Sequence, residues 1–383
     1  MKKKIIFVCS YAPSLVTFRG DLITKFVNEG WSVTCLAPSS DNVLIEKITA
    51  LGAEFVNVEM DRKGINIFSD IKYFLSLIQK IRSIKPSIVL AYTIKPVIYS
   101  SIASFLCKVP LRVSLVTGLG ESFSSIRTFN LRSFTDFKSY LISYCARSLF
   151  KLGLYCSTNI LFQNNDDKNM ILESSSLRSD NMNITNGSGV NLAHYPFRKR
   201  YLTALDTLRF VMVSRIIKPK GVMHFLECAR NIKKTYQNVE FHLVGWFDEG
   251  SDILSSDLQP YILNGDIIFH GKLDNVYTIL NKCDIFVLPS YYPEGTPRTI
   301  LEAMSSGMPI ITTDSVGCRE TVLPEYNGYL ITTKSTCSLE KSCEHFLNNR
   351  DLVTSLGKNS YALASEKYCV HNVNRHIFEI LGI

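Results

Sequence analysis

Short runs of β-branched and apolar residues alternate with stretches that are apolar at helical spacing, and the chain does this twice over. In the first series the runs fall at residues 5–9, 32–37, 54–58, 87–92, 112–117 and 158–162. Between them, FRGDLITKFVNEG, FSDIKYFLSLIQKIRSIKP and KPVIYSSIASFLC carry the helical pattern. A second series starts near Leu208, with strands expected at 210–214, 240–245, 266–269, 284–288, 309–312 and 328–332. Helices are expected over 220–235, 274–282, 297–306, 338–348 and 351–366. Strand and helix in alternation imply a mostly parallel sheet covered on both faces. Two such series predict an α/β protein of two doubly wound domains. The stretch between them, NGSGVNLAHYPFRKRYL, has little periodicity, so the boundary is expected near 187–205. That gives a first domain over 1–195, a second over 205–367 and a final helical segment, 368–383, that packs back on the first. In open sheets of this kind ligands bind beyond the carboxyl ends of the strands, which directs attention to the loops that follow them.

A chain of 383 residues exceeds what one hydrophobic core serves, in keeping with two domains. No window approaches the 18 or so uninterrupted apolar residues of a membrane span. The opening MKKKIIFVCS has the charge of a leader peptide but a short apolar run that leads into YAPS, and it is read as a first strand. The 11 cysteines form no C-x-x-C and several sit inside apolar runs, which fits reduced, buried thiols in a cytosolic protein. Charge is unevenly spread. Residues 1–200 hold 25 basic against 14 acidic residues, a net of +11, and the remainder 17 against 20, a net of −3. A basic half points to an anionic partner: nucleic acid, phospholipid headgroups or a phosphorylated substrate. No nucleic-acid reading element is recognisable, so nucleic acid is set aside.

The second domain carries the phosphate chemistry. Its first strand runs into VSRIIKPKGVMHF, where Arg215 follows the strand and Lys220 sits at a helix start marked by Pro219 and Gly221. Two cations beside a helix N-terminus favour an anion such as a diphosphate, although the same pair also fits an ordinary basic surface loop. Further on, DIFVLPS reads as a buried strand and YYPEGT as its loop. Pro297 suits the first turn of a helix that runs to about residue 306. Gly295 lets the backbone approach a ligand, and N–H groups near Gly295, Thr296 and Arg298 could face phosphate oxygens. Glu294 would reach out from the loop. Glu302, about one and a half turns into the helix, could accept hydrogen bonds from two vicinal hydroxyls of a ribose. The competing reading is two unrelated surface glutamates.

Arg215 with Lys220, then EGTPRTILEAMSSGMPIITTD, GCRE and NGYLI, resemble the donor-binding domain of retaining glycosyltransferase family four. The resemblance implies the GT-B fold, two Rossmann-like domains facing across a cleft, and its signature is two glutamates separated by seven residues, here Glu294 and Glu302. It implies diphosphate contacts from Arg215 and Lys220, a donor-sugar contact from Glu294 and a ribose contact from Glu302. Gly295, Thr296 and Pro297 would shape the phosphate loop, and Gly271 would lie near the base pocket. No D-x-D occurs, so neither a bridging metal nor another cofactor is expected, and the cations would stabilise the leaving nucleotide.

In the first domain, Arg19 and Gly20 open the helix after YAPSLVTF, a place for a loop against the acceptor or the diphosphate. AYTIKPVIYSS, VTGLGESF, LFQNNDD and NGSGVNL resemble a subgroup that transfers an N-acetylhexosamine or hexose to undecaprenyl-diphosphate-linked sugars. The resemblance thus implies a UDP-sugar donor, with N-acetylgalactosamine favoured, and a lipid-linked acceptor. Many members of the wider family have a histidine after a first-domain strand. This chain has none before His194, and Thr93 and Lys95 occupy the comparable stretch, with Lys95 a candidate acceptor-phosphate ligand. Residues 127–151 interleave Arg127, Arg132, Lys138, Arg147 and Lys151 with aromatic and leucine residues against one acid, Asp136. Such a stretch can lie on an anionic membrane surface, which would place the enzyme peripherally on the cytoplasmic face of a bacterial plasma membrane, or be a core helix with a solvated basic face. Two other functions share these features: a nucleotide-sugar epimerase, and a catalytically silent sugar-nucleotide-binding partner.

Overall fold

A computed structural model describes residues 3–61, 66–120, 134–248 and 251–383, with residues 134–140 described as backbone only. It divides into two compact units, Met1–Ser188 with Val373–Ile383, and Gly189–Asn372.

The first unit is built on strands β1 (Lys4–Val8), β2 (Ser32–Ala37), β3 (Glu54–Asn57), β4 (Ile88–Tyr92), β5 (Leu111–Val116), β6 (Asn159–Phe162) and β7 (Met182–Ile184). They form one parallel sheet in the order β3-β2-β1-β4-β5-β6-β7. Runs such as KIIFV are apolar throughout because helices cover both faces. Ile5 and Phe7 enter one core with Phe26 and Trp31, and Ile6 and Val8 enter the other with Tyr73, Leu77 and Phe150. Val373, Ile377, Phe378 and Leu381 of the C-terminal helix Val370–Leu381 belong to the first of these cores.

The second unit repeats the plan with β8 (Leu208–Val213), β9 (Val239–Val244), β10 (Ile268–Phe269), β11 (Ile285–Leu288), β12 (Ile310–Thr313) and β13 (Gly328–Ile331). Their order is β10-β9-β8-β11-β12-β13, again all parallel. In both sheets the direction of winding reverses beside the first strand, between β1 and β4 and between β8 and β11. In open sheets of this kind ligands bind at the carboxyl ends of such a pair.

Residues 195–200, expected to be part of a linker, form a strap along the helix Arg298–Ser305 instead. The Ser305 hydroxyl donates to the Tyr195 carbonyl at 2.7 Å and the Arg198 N–H donates to the Ser306 carbonyl at 3.2 Å. Arg200 is only 2% exposed. Its guanidinium donates to the carbonyls of Ser306 (2.6 Å), Gly307 (3.0 Å), Leu280 (2.9 Å) and Cys283 (2.8 Å). A buried cation thus satisfies carbonyls that the ends of two helices leave without intrahelical partners. Burial pulls that guanidinium down to about 10.

No helix among the described residues is long and apolar enough to cross a membrane. Of the basic stretch 127–151, Arg127, Arg132 and the side chain of Lys138 lie outside the described residues, as do the last three residues of VTGLGESF. The described part of its helix, Phe134–Tyr155, leaves Leu141, Tyr144, Leu152 and Tyr155 exposed.

Candidate active site

At the carboxyl end of β8 the chain passes through Ser214 and Arg215 into a short 3-10 turn, Lys218–Lys220. The helix Val222–Thr235 begins two residues after Lys220, with Gly221 as its cap at φ 78°. A Cβ on Gly221 would lie 2.1 Å from the Pro289 carbonyl oxygen, so only glycine lets this helix start close over the end of β11. The Tyr291 N–H then donates to the Pro219 carbonyl at 2.8 Å, which locks the loop after β11 against the turn that carries Lys220.

Lys220 and Glu294 meet there in an ion pair, and the Ser290 hydroxyl donates to the same Glu294 oxygen at 3.2 Å. Both side chains are largely buried. Arg215 pairs with Asp248 at 2.9 Å. The Arg215 guanidinium and the Lys220 ammonium each lie 5.5 Å from the centre of the Tyr292 ring. One aromatic ring therefore stands beside both cations at the switch point. Burial pulls the Arg215 guanidinium down, but Asp248 and Tyr292 outweigh it and leave it raised.

Pro297 caps the helix Arg298–Ser305 at φ −64° and ψ 112° and stands just outside it, one position earlier than expected. Gly295 and Thr296 lie in the loop before it, packed against the turn after β12, where a Cβ on Gly317 would fall 2.0 Å from the Gly295 carbonyl oxygen. Glu302 is 7% exposed. Its carboxylate accepts from Arg298 Nε at 2.9 Å, one helical turn earlier. Burial raises the Glu302 carboxyl above its ordinary value, while Arg298 and Tyr195 pull it back down. Gly271, at φ 66° just beyond β10, accepts the Gly245 N–H at 2.9 Å, and the space where its Cβ would stand is open. The loops after β8, β9 and β10 are thereby stitched edge to edge.

In the first unit, Arg19 caps the helix Gly20–Asn28, is 3% exposed and lies 5.4 Å over the Tyr92 ring at the end of β4. Gly20 is the first, buried residue of that helix. Thr93 follows at φ 71° and ψ 156°, a conformation that a β-branched residue rarely adopts, with its hydroxyl 2.8 Å from that of Ser10. Lys95 forms an ion pair with Asp70 at 2.8 Å and donates to the Asp61 carbonyl at 2.8 Å. The structure thus engages this lysine with its own unit.

Two family models match the chain: residues 4–164 match a "Glycosyl transferase 4-like" family and residues 196–363 match "Glycosyl transferases group 1". The chain belongs to the glycosyltransferases. A relative in Campylobacter jejuni, an N,N'-diacetylbacillosaminyl-diphospho-undecaprenol alpha-1,3-N-acetylgalactosaminyltransferase, is 26% identical over 367 residues, which cover 93% of each chain. An Escherichia coli UDP-Gal:alpha-D-GlcNAc-diphosphoundecaprenol alpha-1,3-galactosyltransferase is 28% identical, over 70% of this chain and 68% of that one. Among solved structures, Anabaena HepE in complex with UDP superposes with a TM-score of 0.76 at 17% identity, over 100% of both chains. The fold is GT-B, with two Rossmann-like domains.

For this glycosyltransferase the structure brings together Arg215, Lys220, Glu294, Gly295, Thr296 and Pro297 around two adjacent strand ends, with Glu302 on the helix that follows. Sequence reasoning missed Asp248, Ser290 and Tyr292. Only Arg298 had a local signal, since a cation four residues before an acid on a helix shares its face. Tyr292 stands in the quoted loop, but nothing in YYPEGT says that both cations will face it.

Proposed function

We propose that the chain transfers a hexose or N-acetylhexosamine, N-acetylgalactosamine favoured, from a UDP-sugar to a sugar carried on undecaprenyl diphosphate, with retention at the anomeric carbon and without a bridging metal. The observation that carries the reading is the pair of cations on Tyr292 at the β8/β11 switch point, each matched with a carboxylate. An incoming diphosphate competes with Asp248 for Arg215 and with Glu294 for Lys220. As Lys220 turns to phosphate, the Glu294 carboxylate becomes available to the hydroxyls of the donor sugar. Glu302 holds the ribose.

In the reaction, the bond from the sugar's anomeric carbon to the β-phosphate oxygen breaks and a bond to the acceptor hydroxyl oxygen forms on the same face. The acceptor proton passes to the departing phosphate oxygen, and UDP leaves. Arg215 and Lys220 stabilise the charge that builds on that oxygen. The choice of acceptor rests on the two relatives above, whose names specify undecaprenol-linked sugars. Such an acceptor places the enzyme peripherally at the cytoplasmic face of the plasma membrane, where the basic first half of the chain meets anionic headgroups.

The test is a panel of UDP- and GDP-sugars offered with a short undecaprenyl-diphosphate-linked sugar in membranes, scored by nucleotide release and product mass. The expected result is acceptor-dependent UDP release and an acceptor heavier by one sugar. Donor conversion without acceptor would replace the reading with an epimerase. Donor that stays intact with every acceptor offered would leave a nucleotide-sugar-binding partner.

A further inference from the structure

We propose that the indole of Trp246 is the platform on which the nucleobase of the donor stacks. The inference rests on the reading of a UDP-sugar donor given above and adds the residue that receives its base.

Strand order sets the place. Arg215 follows β8 and the Glu294 loop follows β11. A diphosphate over that pair, with its sugar at Glu294, sends the nucleoside the other way, toward β9 and β10. Trp246 stands just after β9, and Gly271 and Lys272 just after β10. The loop after β10 leads into the helix Tyr277–Leu280, where the Tyr277 ring lies 6.3 Å from that of Tyr195. The Tyr195 carbonyl in turn takes the Ser305 hydroxyl, one turn beyond Glu302. The base side is thus tied to the helix that carries the ribose acid.

The tryptophan at this place is exposed and yet held. It is 42% exposed, although an indole is among the largest apolar surfaces a side chain can bury. Its carbonyl takes the Ile216 N–H at 2.9 Å, and the Gly245 N–H before it reaches the Gly271 carbonyl at 2.9 Å. The indole N–H donates to one oxygen of Asp248 at 3.2 Å, and the other oxygen of that carboxylate takes Arg215 at 2.9 Å. One carboxylate therefore sets the ring and a diphosphate cation together. The Lys272 ammonium stands 6.0 Å from the ring centre, at the outer limit of a cation–π contact, and the space beside Gly271 is open. A fixed, accessible ring beside a phosphate site is what a flat base needs for stacking.

The chain has two tryptophans, and the other, Trp31, is 6% exposed in a core of the first unit. Intrinsic fluorescence therefore reads Trp246, and UDP should quench it saturably in the parent and in Trp31→Phe alike. Titration calorimetry then compares UDP with 5,6-dihydro-UDP, whose base keeps its hydrogen-bonding edge but is neither flat nor aromatic. The parent should prefer UDP by about fivefold to a hundredfold, the scale of one base stacked on one aromatic ring. Trp246→Leu should lose that preference along with a similar factor in UDP affinity, whereas Trp246→Phe, which keeps a ring, should retain most of both. Equal losses with the two nucleotides in Trp246→Leu, the preference surviving, would mean a purely structural tryptophan and overturn the proposal. UDP bound without quenching in Trp31→Phe would overturn it too, and would leave the nucleotide site standing. A parent that binds no uridine nucleotide would instead bring down the reading on which the proposal rests.

Discussion

Arg215 and Glu294 differ in what their loss leaves behind. Removing Arg215 frees Asp248, which is about one-third exposed and can turn to water. Replacing Glu294 by glutamine keeps an oxygen for Ser290 and Lys220 while removing the charge. Both Arg215→Ala and Glu294→Gln should therefore melt near the parent's temperature, yet each should lower kcat/KM by about a hundredfold or more, the usual effect of losing one preorganised electrostatic contact. Nucleotide release and a thermal melt on the same preparations check the pair. The glycines divide the other way. Gly221→Ala meets the Pro289 carbonyl at 2.1 Å as well as an unfavourable φ, and should cost more than about 3 kcal/mol and the site with it. Gly271→Ala meets open space and should cost only the backbone penalty, about 1–2 kcal/mol, by denaturant titration. At this scale the residues legible in the sequence were those carried by one local pattern, as with Glu294, Gly295 and Pro297 between a buried strand and the helix that follows. Asp248 was not legible, because it meets Arg215 only after β8 and β9 have paired.

Among the elements, the strands declared themselves where burial on both faces demands unbroken apolar runs. Residues 32–37 fall on β2 residue for residue, and most other strands shift by one or two positions. The misses have physical causes. β7 is three residues at the sheet edge, too short to show a period. The helix Ser255–Leu263 carries Pro260 in its interior and reads as broken, although it loses only one backbone donor there. No pattern announced the pairing of β9 with the end of β10, where His242 Nδ1 and His270 Nε2 stand 2.9 Å apart with their rings nearly parallel. One nitrogen must accept while the other donates, so the two rings cannot both carry a second proton and keep this bond. Burial lowers both imidazoles; Glu240 opposes this at His242, Arg209 adds to it, and Lys282 adds to it at His270. A base depressed in the fold takes up protons first in the unfolded chain. The stability it lends is complete above the unfolded value of about 6.5 and is lost as pH falls below it. Melting temperature should fall from pH 7.5 to 5.5, and His242→Asn with His270→Asn should flatten that slope. An unchanged slope would remove the pair from the account.

For the molecule as a whole, the order of the chain and the order of the cores disagree. The first unit opens the sequence but takes its last helix from residues 373–383, after the whole second unit has been made. That helix is no ornament on the first core. Val373, Ile377, Phe378 and Leu381 are at most 6% exposed, and the Phe378 ring lies 4.5 Å from that of Phe26, with the Lys25 ammonium 4.5 Å from its centre. Asn159 at the start of β6 adds a hydrogen bond to the Ile380 carbonyl at 3.4 Å. Burying four such side chains contributes about 1.5–3 kcal/mol each, a sum that rivals the whole stability of an ordinary domain, about 5–15 kcal/mol. A chain ended at residue 372 should consequently lose the first unit while the second persists. Hydrogen exchange read by mass spectrometry should find β1, β2 and β4 unprotected and β8, β11 and β12 protected. A peptide of residues 370–383 added in trans should restore protection to the first group, because it returns the helix that covers Phe26 and its neighbours. Strands of the first unit that stayed protected without the helix would show that their core closes without it. If they do not, the unit that is synthesised first must finish folding last, and the second unit forms while its predecessor is still open.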